Sequence, residues 1–170
     1  EDATAEELRQ FQLALAEQNA RNTAALAVAR PDLPQADYLA VLEAQLLNTP
    51  SQYGAGLAFL PANYGGARKD LYLFREGSQL RQVADPAARD SSDGSHEWFT
   101  LAQRQASQAS QWTPPHFDSR AGNRWMISHT AAVLRQGRFD GAAVADVDLS
   151  QLAASIAPLL ADTQWLLLDG

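Results

Sequence analysis

Four pieces of one stretch decide the fold: His96-Glu-Trp-Phe-Thr-Leu-Ala102, Trp112-Thr-Pro-Pro-His-Phe-Asp118, Trp125-Met-Ile-Ser-His-Thr-Ala-Ala-Val133 and Gly137-Arg-Phe-Asp-Gly-Ala-Ala-Val-Ala-Asp-Val-Asp-Leu-Ser-Gln-Leu152. The first opens a short helix, rich in Ala and Gln, over Glu97–Gln108. The second holds Pro114-Pro115 and reads as a loop from Trp112 to Gly122. The third and fourth give strands over Asn123–Val133 and Gly141–Val147, joined by Arg135-Gln-Gly-Arg138. Leu149, Leu152, Ile156 and Leu159 then recur on one face of a helix over Leu149–Leu160.

Upstream, Tyr53–Leu60, Asp70–Arg75 and Gln79–Ala84 read as three further strands. Pro61-Ala-Asn-Tyr-Gly-Gly66 and Glu76-Gly77 separate them, and the polar, acidic residues 85–95 read as a loop. Two helices come first. Residues 3–29 contain neither Pro nor Gly, begin with the capping-box pair Thr4 and Glu7, and place Leu8, Phe11, Leu15, Asn19, Asn22 and Leu26 along one face. Such a helix is roughly 40 Å long at about 1.5 Å per residue. Arg30-Pro31 ends it, and Leu33-Pro34 opens a second helix over 35–48. Gln164–Leu168 resembles the start of another strand. The order predicts a mixed α/β (α+β) domain with a mainly antiparallel sheet.

Composition narrows the chemistry. The chain has 170 residues, 46% of them hydrophobic, enough for one domain with its own core. It contains no cysteine, which excludes disulfides, thiol nucleophiles and cysteine metal sites. A net charge of −7 disfavours a nucleic-acid partner. No apolar run reaches the roughly 20 residues of a membrane span. Gly65-Gly66 lacks the spacing of a phosphate-binding loop, and Ser128-His129 lacks a nucleophile-elbow context. His96-Glu97 begins like a zinc-protease motif, but Thr100 stands where the second histidine is required. His96, His116 and His129 could converge with Asp118 on a metal, and Asp146 and Asp148 could form an acid pair. Neither arrangement is complete, so no enzyme activity, metal or cofactor is expected.

The four quoted pieces resemble the Cache family of extracytoplasmic sensor domains, particularly the double Cache type with its PAS-like antiparallel sheet and long N-terminal helix. The shared features are the aromatic pair Trp98-Phe99 opening a helix, the loop Trp112 to Asp118, the strand Met126 to Val133, and Gly141 to Asp146 before a short helix. The resemblance implies that residues 1–161 form the membrane-distal sensor module of a bacterial transmembrane receptor, with 3–29 as its helical spine. Residues 162–170 would begin the connection to a membrane-proximal module. It further implies a periplasmic location, a small-molecule ligand, and a homodimer formed through the N-terminal helix. The output could be chemotactic, a histidine kinase, a cyclase or a phosphatase.

By position in the family pattern, Trp98 and Phe99 would be pocket walls, and Asp118 and Asp146 would receive a ligand ammonium. Amino-acid-binding members have Arg two residues before the Trp and Tyr two residues before the loop Asp. Here those positions hold His96 and His116, so the guanidinium clamp for a carboxylate is missing. The expected ligand is therefore an amine-bearing, cationic or heterocyclic molecule contacted by His96 or His116. His129 is a further candidate, on a strand that could face either side. Each residue also has a structural reading: the aromatics as core, Asp118 as a turn former, and Asp148 rather than Asp146 as helix cap. The alternative function is a dimerisation module with a collapsed pocket, in which Asn19 and Asn22 fix helix register.

Overall fold

The computed structural model describes residues 4–60, 70–83, 95–119, 121–155 and 157. Two helices, α1 (Ala5–Ala29) and α2 (Gln35–Asn48), precede the strands β1 (Gly54–Phe59), β2 (Asp70–Glu76) and β3 (Gln79–Gln82). Helix α3 (Glu97–Arg104) follows, then β4 (Ser110–Trp112), β5 (His116–Asp118), β6 (Arg124–Arg135) and β7 (Arg138–Asp148). A last helix, α4, covers 149–155. The strands form one antiparallel sheet in the order β3-β2-β1-β7-β6-β4, with β5 also paired to β6. This is the α+β architecture expected, with the long helix at its start.

Because side chains alternate along a strand, the sheet has two distinct faces. On one, Leu57, Ala131, Val133, Ala143, Ala145 and Val147 pack under α1 and α2. On the other, Tyr72, Ala142 and Val144 pack under Trp98, Phe99 and Ala102 of α3. The β6–β7 hairpin closes with Gln136 and Gly137 at φ values of 51° and 75°, the left-handed pair that a tight two-residue turn requires.

The capping box at Thr4 and Glu7 forms, but the buried face of α1 is not the expected stripe. Phe11 is 62% exposed and Asn22 is exposed, whereas Ala16, Ala20, Thr23, Ala24 and Ala27 are buried. The opposing sheet surface is itself built of alanines, so the helix approaches closely and small residues rather than large ones mark the contact. Asn19 does not interrupt an outer stripe: its amide donates to Thr49 Oγ1 (3.0 Å) and Gln52 Oε1 (2.7 Å) inside the domain.

Three other expectations change. The helix expected over Glu97–Gln108 stops at Arg104, and a 3-10 turn covers Ala106–Gln108 before Ala109 takes a φ of 62°. The loop expected over Trp112–Gly122 contains β5, whose pairing with β6 depends on tertiary context rather than propensity. The β7 strand begins at Arg138, three residues before Gly141, because the tight turn lets pairing start at once. The expected loop over 61–66, all but residue 95 of the 85–95 loop, the far half of the last helix and the 164–168 strand lie outside the described residues.

Asp148 caps α4, accepting from the backbone N–H of Ser150 (2.8 Å) and Gln151 (3.3 Å). Its other oxygen binds Arg124 Nη1 at 2.6 Å. Asp148→Ala removes both contacts. We expect it to lower stability by about 1–2 kcal/mol and to fray α4, read as faster amide exchange over 149–155.

Candidate ligand-binding site

The Thr113-Pro-Pro115 corner builds the site's wall. Thr113 is buried and locked to β6 in both directions: its N–H donates to Ser128 O (2.8 Å), and its Oγ1 accepts from Ser128 N (3.0 Å). The two prolines then fix the turn into β5, which carries His116, Phe117 and Asp118 alongside β6. Across from them, His96 is the N-cap residue of α3, and its ring lies 6.4 Å from that of Trp98.

Between these elements lies a pocket of about 250 Å³, lined among the described residues by Ser95, His96, Glu97, Trp98, His116, Phe117, Asp118 and Ser119. Four of the seven residues singled out from sequence are therefore together at one cavity: His96, Trp98, His116 and Asp118. Trp98 is 3% exposed and Phe99 only 1%, so both are mainly core. Phe99 stands behind the wall, edge-on to Trp98 and to Phe139 at 5.5 Å each. Asp118 has the turn role as well as the pocket position, accepting from Ala121 N at 3.1 Å.

Asp146 is buried and is not among the described lining residues; it connects to His116 through Ser128, whose Oγ lies 3.4 Å from His116 Nε2. Ser128, opposite it across the β6–β7 ladder, donates its hydroxyl to Oδ1, and Tyr72 donates its hydroxyl to Oδ2. Tyr72 reaches from β2 across β1 because β1 offers no side chain there. A Cβ at Gly54 would collide with the Tyr72 hydroxyl, and one at Gly56 would come within 2.9 Å of Tyr72 Cδ2. Burial pushes the Asp146 carboxyl above its ordinary range, a tendency its two hydroxyl partners oppose. Its neutral form is therefore favoured by folding. The stability it lends is present at acid pH and falls as pH rises through the folded-state value. Tyr72, Ser128 and Thr113 were not legible as site residues, since nothing in sequence shows which strand neighbours Asp146.

His129 lies elsewhere. The alternation of β6 puts it on the α1 face, edge-on to Trp112 at 4.9 Å and near Glu17 and Arg21 of α1. It does not meet the pocket, so the three histidines do not converge. Among the described residues no group of three His, Asp or Glu side chains could hold a metal ion. Both His129 ring nitrogens are buried without a hydrogen-bond partner among the described residues, and burial lowers its pKa from 6.5 to about 4. The folded state thus prefers neutral His129. The resulting stability is complete above about pH 6.5 and is lost as pH falls towards about 4. We expect His129→Phe to flatten the urea-unfolding midpoint across this window. The wild-type slope corresponds to about 3 kcal/mol at most.

The chain matches, over residues 38–154, the family described as methyl-accepting chemotaxis protein-like, first PDC sensor domain. Among solved structures it is similar to the extracellular domain of the histidine kinase soHK1S-Z6, with 24% identity, a TM-score of 0.75, and coverage of 87% of this chain and 57% of that one. Methyl-accepting chemotaxis protein X is similar at 20% identity and a TM-score of 0.74, covering 91% of this chain and 62% of that one. The ligand-binding domain of the Pseudomonas fluorescens chemoreceptor CtaA in complex with L-serine is similar at 21% identity and a TM-score of 0.56, covering 88% and 56%. The chain thus spans less than two thirds of the structures it matches. A search of curated protein sequences finds no match.

Proposed function

This chain belongs to the methyl-accepting chemotaxis protein-like first PDC sensor domain family, and from that premise we propose that it senses a small amine-bearing or cationic molecule in the pocket between α3 and β5. The observation that carries the reading is the pocket's chemistry. Aromatic Trp98 and Phe117 line it beside the carboxylates of Glu97 and Asp118, and no Arg or Lys is among the described lining residues. The described lining attracts positive charge and contains no bidentate clamp for a carboxylate. The serine-bound chemoreceptor, whose ligand carries an amine, is consistent with this.

A cavity of about 250 Å³ between α3 and β5 supports sensing over a purely structural role. In this reading the domain is non-enzymatic and periplasmic, the membrane-distal module of a double Cache receptor with a chemotaxis, kinase, cyclase or phosphatase output. No described helix is long and apolar enough to cross a membrane. The outward side of α1, where Phe11 and Val28 are exposed, supports pairing with a second copy of the receptor. Ligand binding would bias the receptor only by its differential affinity for two states.

The test is calorimetric titration of wild type and Asp118→Asn with amino acids, polyamines, quaternary ammonium compounds, purines and amine-free carboxylates. A cation or amine should bind best, and Asp118→Asn should weaken it about tenfold or more. Tightest binding by an amine-free carboxylate would overturn the reading.

A further inference from the structure

The far end of β6 carries a second cavity, of about 390 Å³. Among the described residues its lining is Leu60, Arg135, Gln136, Arg138, Phe139 and Asp140, at and beside the β6–β7 turn. Met126 pairs with His116 of the first pocket, so that pocket and Arg135 are roughly 30 Å apart along β6 at about 3.3 Å per residue.

Arg135 and Arg138 are partners across the hairpin, directly before and after the tight turn at Gln136-Gly137. Partners in register project to the same side of a sheet, and like charges placed so repel. An acid offsets only one of the two. Arg135 Nε lies 2.8 Å from Oδ2 of the buried Asp140, and its Nη2 donates to Ala27 O (3.3 Å) in the last turn of α1. Arg138 is exposed and belongs to no ion pair among the described residues. The described lining thus sets two guanidiniums against one carboxylate, the reverse of the first pocket.

We propose that this cavity is a separate anion site for a phosphate group, free or carried as a monoester on a small organic molecule. Asp140 and the Ala27 carbonyl hold the Arg135 guanidinium in place, which makes it a preorganised wall. Arg138 supplies the charge that remains, and a bound anion relieves the repulsion between the two arginines. A carboxylate is planar and satisfies one guanidinium fork, whereas a tetrahedral phosphate turns oxygens towards both strands of the hairpin. Its second negative charge suits a pair of guanidiniums. Asp140 opposes an anion in the same lining, so Arg135 must stay between that carboxylate and the phosphate. Leu60 and Phe139 add apolar surface for the organic part of an ester. The turn leaves room for approach, since a Cβ added to Gly137 would meet nothing within 4 Å.

The experiment titrates the isotope-labelled domain, in a phosphate-free buffer, with inorganic phosphate, glycerol 3-phosphate and glycerol as the uncharged control. Both phosphates should shift the Arg138 Nε–H resonance and the amides of Gln136 and Gly137 to saturation, with the His96, His116 and Asp118 signals unmoved. Glycerol should shift none of them. Arg138→Gln should weaken binding about tenfold or more, and Arg138→Lys, which keeps the charge without the fork, should fall between. Arg138 is exposed and outside both hydrophobic clusters, so these variants should fold as wild type does. Tighter binding of glycerol 3-phosphate than of inorganic phosphate supports the site with an ester as its ligand, and the reverse order supports it with the free ion. No saturable shift at the turn up to about 10 mM of either phosphate, or equal binding by Arg138→Gln, would overturn the site. No amine enters any arm, so that failure would leave the cation reading standing.

Discussion

Asp146→Asn should abolish binding of a cationic ligand, by about 100-fold or about 3 kcal/mol, while leaving the domain folded. The substitution preserves size and removes the ability to ionise. Both carboxyl oxygens now accept hydroxyls, from Ser128 and Tyr72. An amide can accept one of them and donate to the oxygen of the other, so neither neighbour is orphaned. Removing a fully buried charge also removes its desolvation penalty. Stability at neutral pH should therefore stay within about 1 kcal/mol of wild type or rise, since the neutral side chain is the one burial favours. Calorimetry with the best-binding amine, paired with urea unfolding, separates the two effects. Affinity retained within about threefold would show that Asp146 is structural and has no part in capture.

Phe99→Ala should act in the opposite sense, lowering stability by about 3–5 kcal/mol, enough to shift Tm by roughly 10 °C or more. Phe99 is 1% exposed, and its ring bridges Trp98 on one side and Phe139 of β7 on the other. Truncation leaves a cavity that α3 cannot easily close, because its buried side has only Trp98, Phe99 and Ala102 to hold it. The pocket wall would loosen with it, although Phe99 does not line the cavity. Phe99→Leu should restore most of the stability and the ligand affinity together. A Phe99→Ala domain of near-wild-type Tm with lost affinity would instead make Phe99 a direct contact.

Local signals carried far: Thr4 and Glu7 cap α1, Pro34 opens α2, and Asp148 rather than Asp146 caps α4. Positions close in sequence also fell into one place, so His96, Trp98, His116 and Asp118 share a cavity. What failed was whatever depended on a distant partner. The buried side of α1 is set by alanines on β6 and β7, and its large residues misled because size suggests burial only when the partner surface leaves room. The side of β6 that His129 faces follows from register against β7, which alternation alone leaves two-fold ambiguous. Tyr72 joined the site only through the glycines of β1, across which its hydroxyl reaches the acid.

Whether the space between α3 and β5 receives a cation can be read by adding the best-binding amine to the isotope-labelled domain and mapping shifts in the NMR spectrum. The Trp98 indole, the His96 and His116 rings and the amides around Asp118 should move together, saturating at the calorimetric affinity. Shifts centred on α1 or on the β6–β7 turn, with those resonances unmoved, would contradict it.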